Sequence, residues 1–105
     1  MTSEYHRYYI LVDKIAVSCD DAIEWAKSFD DVCRRVAWNE IGRFRVSTVF
    51  LGLNHNYRAG PPLVFETMIF EKQDDLWQER YSTWELALEG HARACAIAMK
   101  WNDER

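Results

Sequence analysis

The stretch that decides the fold runs from Arg45 to Phe70 and reads Arg45-Val-Ser-Thr-Val-Phe-Leu-Gly-Leu-Asn-His-Asn-Tyr-Arg-Ala-Gly-Pro-Pro-Leu-Val-Phe-Glu-Thr-Met-Ile-Phe70. Two runs rich in β-branched and aromatic residues flank a segment of Asn, Gly and Pro. This pattern is typical of a β-hairpin with a long loop. We therefore expect this hairpin to form the centre of a small antiparallel sheet.

The two strands of this hairpin are predicted over 44–53 and 63–70. Apolar residues occur on both faces of the first strand, which is typical of a central strand. One face would then lie under a helix layer, and the other would be left for a second subunit. The connecting segment, 54–62, is too long for a two-residue turn. Its end, Gly60-Pro61-Pro62, should be stiff and extended.

Two further strands are predicted on either side of the hairpin. Residues 8–12 read as a first strand, and residues 77–81 read as a third strand of the meander. Between the first strand and the hairpin, apolar residues recur every three or four positions and predict a helix from about Asp20 to Ile41. Ser18 is a plausible N-cap of this helix, and Gly42 is placed to end it.

A second helix is predicted from Ser82 to about Trp101. The sequence Ser82-Thr-Trp-Glu85 matches the capping box, in which Ser82 caps the helix and Glu85 bonds back to the Ser82 backbone. Gly90 lies inside this helix at a cost of about 1 kcal/mol relative to Ala. That cost indicates a close approach to another backbone at Gly90.

The chain has 105 residues, the usual size of one domain, so we expect residues 1–105 to form a single core. The fold predicted is α+β with two layers. An antiparallel sheet of about four strands would carry two helices on one face, in the order β-α-β-β-β-α.

Charge and composition argue against several functional classes. The net charge of −4 disfavours nucleic acid and anionic membranes as partners, because both attract positive charge. Neither a signal peptide nor an apolar run of about 20 residues is visible, so we expect no membrane contact. Cys19, Cys33 and Cys95 are an odd number of widely spaced cysteines, which is typical of free thiols in a reducing compartment, most simply the cytoplasm.

Three residues are the candidates for catalytic chemistry: His55, Glu66 and His91. Two histidines and a carboxylate are a known metal-binding set, but no His-x₃-His or His-Glu-x-x-His spacing demands one. The alternative interpretation has His91 in the core, Glu66 paired to Arg45 or Arg80, and His55 in solvent. We expect no metal and no cofactor.

Binding is the other use for these residues. The candidate binding residues are grouped around the long loop, with two from the third strand: Asn54, His55, Asn56, Tyr57, Arg58, Arg80 and Trp77. The chain has five Trp, a residue that is rarely buried completely and often anchors a partner. Most of them are expected to pack on the core or at a subunit contact.

Three segments together carry a resemblance to a known family. They read Arg45-Val-Ser-Thr-Val-Phe-Leu-Gly-Leu-Asn-His55, Pro61-Pro-Leu-Val-Phe-Glu-Thr-Met68, and Arg80-Tyr-Ser-Thr-Trp-Glu85 followed by Gly90-His91. This combination resembles a family of small proteins encoded by bacteriophages and prophages, and it implies a phage context rather than a mechanism. The family pattern usually has Asp where this chain has Asn54, which weakens an acid–base or metal role for the loop. It usually has a Gly pair where this chain has Glu71-Lys72.

The leading functional hypothesis is a phage accessory protein that acts by binding another protein, such as a host factor or a defence component. The alternative is a small enzyme or ligand-binding protein that uses the loop 54–58 with Glu66 and His91. Self-association is also expected, because two helices would cover only one face of an apolar sheet. The partner is thus a second copy in a homodimer, or a host or phage protein.

Overall fold

The computed structural model describes residues 5–28 and 34–104. The elements in this part of the chain are, in order, β1 (Tyr9–Val12), β2 (Ile15–Ser18), α1 (Ala22–Lys27), β3 (Arg35–Ile41), β4 (Phe44–Phe50), β5 (Phe65–Glu71), β6 (Asp74–Tyr81) and α2 (Trp84–Asp103). β1 and β2 form a two-stranded antiparallel sheet, and β3-β4-β5-β6 form a four-stranded antiparallel sheet. The predicted α+β class with a four-stranded antiparallel sheet is confirmed.

The helix predicted from Asp20 to Ile41 is wrong over residues 35–41, which form a strand. A helix of six residues, α1, ends at Lys27, and its N-cap is Asp21 rather than Ser18, because the Asp21 carboxylate accepts hydrogen bonds from two backbone N–H groups. From Arg35 onward the chain is the strand β3, which pairs antiparallel with β4. The predicted helix residues Phe29, Val32 and Cys33 lie outside the described residues.

This correction changes the element order. Across residues 5–28 and 34–104 the order is β-β-α-β-β-β-β-α rather than the predicted β-α-β-β-β-α. The main sheet contains β3 in place of the first predicted strand, residues 8–12. That predicted strand corresponds to β1, which pairs with β2 in a separate hairpin. Gly42 ends no helix: it lies in the two-residue turn between the paired residues Ile41 and Phe44, at a φ of +57°. That left-handed conformation favours glycine.

The core lies between α2 and one face of the main sheet. Along β4 every second residue is buried, from Phe44 to Phe50, and these side chains point toward α2. Small helix residues, Ala94 and Ala98, are fully buried against Phe44, Val46 and Ile69 of the sheet. Alanine on the packed face lets the helix lie close to the strands, which increases dispersion contact. The predicted second helix on this face is not found among the described residues, since α1 has no buried residue.

Two details of α2 differ from the sequence-based expectation. The N-cap is Thr83, whose hydroxyl accepts the backbone N–H of Leu86 at 3.1 Å. With Thr83 as the N-cap, Glu85 is the second residue of the helix, one position too early for a capping box, so the predicted box of Ser82 with Glu85 is not formed. Gly90 is indeed a site of close approach, but its neighbour is the phenol ring of Tyr81, not a second backbone.

The other face of the main sheet, which we call the open face, points away from α2. The strand register places twelve residues on it: Arg35, Trp38, Glu40, Arg45, Ser47, Val49, Glu66, Met68, Phe70, Asp75, Gln78 and Arg80. Trp38 is 37% exposed, and Val49, Met68 and Phe70 are half-buried. The predicted strand 44–53 would place Leu51 and Leu53 on this face as well, but β4 ends at Phe50.

The β1-β2 hairpin is joined to the far end of β4. Backbone hydrogen bonds connect Tyr9 N–H to Gly52 O and Asn54 N–H to Arg7 O, both at 2.9 Å. They bring the N-terminal residues of the described chain alongside the long loop between β4 and β5. Cys19 and Cys95 are free thiols, as predicted, and Cys33 is outside the described residues. No helix within 5–28 or 34–104 has the length and apolar character that crossing a membrane requires.

Candidate binding site

The loop between β4 and β5 is organised by the side chain of Asn54. This side chain is 7% exposed and makes three hydrogen bonds with backbone groups. Its Oδ1 accepts from the N–H of Asn56 at 2.8 Å and of Leu63 at 3.1 Å, and its Nδ2 donates to the carbonyl of His6 at 3.2 Å. One buried amide therefore ties the two ends of the loop together and ties both to the N-terminal segment.

A second asparagine orders the loop tip. Asn56 Oδ1 accepts the N–H of Arg58 at 3.1 Å, and Asn56 Nδ2 donates to the carbonyl of Pro61 at 2.8 Å. The backbone N–H of His55 donates to Leu63 O at 3.0 Å. Hydrogen bonds from side chains to the backbone stabilise the turns of an irregular segment, as backbone hydrogen bonds between strands stabilise a sheet. The residues between Asn54 and Leu63 are thus held in one conformation without regular secondary structure.

Tyr57 and Arg58 lie at the tip of this ordered loop. Tyr57 is 78% exposed, and Arg58 is also exposed. The Tyr57 ring stacks on the ring of Tyr5, with centroids 5.9 Å apart and planes inclined by 29°. The Tyr5 hydroxyl donates to the carbonyl of Asn54 at 2.5 Å. The exposed aromatic side chain is therefore supported from below by a second ring that is itself tied to the loop.

A cavity of about 300 Å³ lies between the loop and the N-terminal segment. Its lining combines aromatic walls with hydrogen-bonding and cationic side chains: Tyr5, His6, Tyr9, Asn54, Tyr57, Arg58, Ala59, Gly60 and Pro62. Burial raises the pKa of both Tyr5 and Tyr9, and the neighbouring Tyr57 raises the pKa of Tyr5 further. Both phenols are therefore neutral at physiological pH. The cavity can offer a ligand stacking surfaces and the positive charge of Arg58.

His55 and Glu66 lie near each other, beside Arg80. Arg80 Nε donates to Glu66 Oε2 at 2.9 Å, so the predicted pairing of Glu66 is with Arg80 rather than with Arg45. Partial burial lowers the pKa of His55, as does the positive charge of Arg80, while Glu66 opposes that shift. A neutral His55 beside a carboxylate already bonded to an arginine is a poorly activated acid–base pair.

His91 does not join them, because it lies on the opposite face of the sheet. Its Nδ1 is 2.7 Å from Thr48 Oγ1, and its Nε2 is 2.7 Å from Asn39 Oδ1. Since an amide oxygen only accepts, Nε2 carries the proton and Nδ1 accepts from Thr48. Burial lowers the pKa of His91 and favours this neutral form. Both ring nitrogens are thus occupied, in agreement with the interpretation of His91 as a core residue.

The metal set of His55, Glu66 and His91 is therefore not assembled. Among the described residues, no group of three or more His, Cys, Asp or Glu side chains is arranged to hold a metal ion. Trp77 also lies away from the loop: it packs beside the cluster of Phe44, Val46 and Ile69 beneath α2. Of the predicted binding residues, the structure brings Asn54, His55, Asn56, Tyr57 and Arg58 into one ordered loop, with Arg80 near His55.

Sequence reasoning missed the N-terminal part of this site. Tyr5, His6 and Tyr9 line the cavity only because β1 pairs with residues beyond the end of β4, a contact between segments more than 40 residues apart. No local pattern indicates such a contact.

Comparison with protein-family models, with curated proteins and with solved structures found no match to this chain.

Proposed function

We propose that this chain is a phage or prophage accessory protein that acts by binding another protein in the host cytoplasm, such as a host factor or a defence component. The observation that carries the proposal is the ordered loop that presents Tyr57 and Arg58 to solvent. Tyrosine and arginine are among the residues that contribute most to protein–protein affinity. The resemblance to phage-encoded proteins supports the cellular context.

The hydrogen bonds of Asn54 and Asn56 favour binding because they order the loop before a partner arrives. An unstructured loop loses conformational freedom on association, at a cost of about 0.5–1.5 kcal/mol for each immobilised flexible side chain. A loop already tied at both ends avoids most of the backbone part of that cost. The placement of the predicted catalytic residues argues against catalysis, because Glu66 is already bonded to Arg80 and both ring nitrogens of His91 are occupied on the other face of the sheet.

Affinity capture from host lysate, quantified by mass spectrometry, tests this proposal. The double variant Tyr57→Ala/Arg58→Ala should lose the captured partner. A matched control, Leu88→Ala/Lys100→Ala, removes one apolar and one cationic side chain from exposed positions of α2 and should keep it. Equal capture of the same proteins by the two variants would contradict a role for the loop.

A second candidate function is the binding of a small ligand in the 300 Å³ cavity. This volume is at the lower end of the range for small-molecule sites, and its aromatic walls and single arginine suit a planar anionic molecule. Glu66 and His91, which the sequence had placed in such a site, take no part in it. Native mass spectrometry of protein purified from host cells should then show a retained small molecule, which Tyr57→Ala releases. A wild-type mass equal to that of the bare chain would count against this candidate.

We also propose that the protein forms a homodimer. The support is the open face of the main sheet, where Trp38 is 37% exposed and several apolar side chains are only half-buried. Exposed apolar patches on a sheet normally mark a contact surface.

A further inference from the structure

The open face has a regular pattern of charge. The register arranges its twelve residues in three rows that cross the sheet from β3 to β6. The first row is Glu40, Arg45, Phe70 and Asp75; the middle row is Trp38, Ser47, Met68 and Gln78; the third row is Arg35, Val49, Glu66 and Arg80. The first row has acidic residues at both ends, and the third row has arginines at both ends.

Contacts within the rows show that these side chains share one side of the sheet. Arg80 bonds to Glu66 in the third row, and the Arg45 guanidinium lies 5.3 Å from the centre of the Phe70 ring in the first. The Arg35 guanidinium lies 4.8 Å from the centre of the Trp38 ring, which links the third row to the middle row.

We propose that the open face binds the open face of a second copy of this chain, about a two-fold axis that crosses the strands along the middle row. This inference gives a geometry to the proposed homodimer and is independent of the loop. Rotation about that axis places the first row of one copy over the third row of the other. Glu40 then faces Arg35 of the second copy, and Asp75 faces Arg80 of the second copy. By symmetry each pair occurs twice, so all four corners of the interface join opposite charges.

The same charges exclude the other simple arrangement. A two-fold axis parallel to the strands would exchange β3 with β6. Glu40 would then face Asp75 of the second copy, and Arg35 would face Arg80 of the second copy. All four corners would join like charges, which costs affinity and suppresses the wrong pairing. Charge complementarity therefore selects the axis across the strands.

The middle row supplies the apolar contact. About this axis Trp38 and Met68 each face their own counterparts, which places the largest exposed ring of the sheet at the interface. Sheets that pack face to face lie about 10 Å apart, within reach of these side chains and of the corner pairs.

The size of the face indicates a weak dimer. Strands about 4.8 Å apart and a rise of about 3.4 Å per residue give four strands of seven residues a flat area of roughly 450 Å² per copy. The total of roughly 900 Å² is below the 1,200–2,000 Å² of standard stable interfaces. We therefore expect dissociation in the micromolar range or weaker.

Sedimentation equilibrium of charge-reversed variants tests the proposal. Arg35→Glu and Glu40→Arg each turn two corners of the homodimer into like-charge pairs, so each variant should dimerise at least about tenfold more weakly than wild type. An equimolar mixture of the two variants should dimerise about as well as wild type, because every corner of the mixed dimer again joins opposite charges. The double variant Arg35→Glu/Glu40→Arg should also recover.

Four results would contradict the proposal. A wild-type chain that remains monomeric to about 1 mM would show that the protein does not form the proposed dimer. Single variants that dimerise as tightly as wild type would contradict the proposed two-fold axis. A mixture of the two variants that does not dimerise about as well as wild type would contradict it too. If Arg35→Glu fails to fold, as judged by circular dichroism, Trp38→Thr replaces it and should weaken the dimer at least about tenfold; an unchanged dimer there would contradict the middle-row contact. Each of these outcomes leaves the loop variants, and hence the proposed partner binding, unaffected.

Discussion

At the scale of single residues, Gly90 sets how closely α2 approaches the sheet. A Cβ atom at position 90 would overlap the phenol ring of Tyr81, which is 5% exposed and closes one end of the core. Burial raises the pKa of the Tyr81 hydroxyl to about 12, so the ring is neutral and packs as part of the core.

Gly90→Ala should destabilise the protein although alanine is the better helix former. Replacing Gly by Ala in a helix usually stabilises by about 1 kcal/mol, whereas forcing a methyl group into a packed site costs about 1–3 kcal/mol. The overlap with Tyr81 makes the second effect the larger, so the urea midpoint should fall. Glu89→Ala, one residue away and exposed, should change stability by less than about 0.5 kcal/mol. A Gly90→Ala variant more stable than wild type would show that the ring does not lie against the helix.

His91 gives the folded state a predictable dependence on pH. Its pKa is lowered on folding, so as the pH falls the unfolded chain takes up the proton first, near the ordinary value of about 6.5. The contribution of His91 is therefore complete above that pH and declines until the pH passes below the folded pKa. The free energy of unfolding of wild type minus that of His91→Gln should decrease from pH 7.5 to pH 5. A difference that is constant or increases toward acid would contradict a neutral, buried His91.

At the scale of elements, the hairpin β4-β5 and the helix α2 could be predicted from the sequence. Phe44–Phe50 has the period of a strand, and the alternation of buried and half-buried residues along it follows that period. β3 could not be predicted in the same way. Val36, Ala37 and Ile41 continue the three- and four-residue spacing of a helix, yet the antiparallel pairing with β4 makes the segment a strand. Tertiary pairing overrides a local pattern where the pattern fits both states.

The N-terminus of α2 gives a test at the same scale. Thr83→Ala should cost about 1 kcal/mol, since the N–H of Leu86 loses its acceptor. Ser82→Ala, one residue earlier, is the matched control and should cost less than about 0.5 kcal/mol. Urea midpoints measure both. A larger loss for Ser82→Ala than for Thr83→Ala would restore the capping box that the sequence predicts.

At the scale of the whole molecule, the candidate site could be predicted only in part. The loop residues Asn54 to Arg58 were found because Asn, Gly and Pro between two strands indicate an irregular connection. The sequence did not show that His91 and Glu66 lie on opposite faces of the sheet, because that depends on which face α2 covers. Nor did it show that Tyr5 stacks under Tyr57, because that contact follows from how the β1-β2 hairpin joins β4.

The proposed binding depends on a loop that is already ordered in the free protein. Backbone ¹⁵N relaxation of residues 54–63 tests it most directly, because order parameters report motion on the picosecond-to-nanosecond timescale. The hydrogen bonds of Asn54 and Asn56 predict values near 0.85, similar to those of β4 and β5, and Asn54→Ala should lower them by removing three bonds. Values below about 0.6 in the free wild-type protein would contradict the claim.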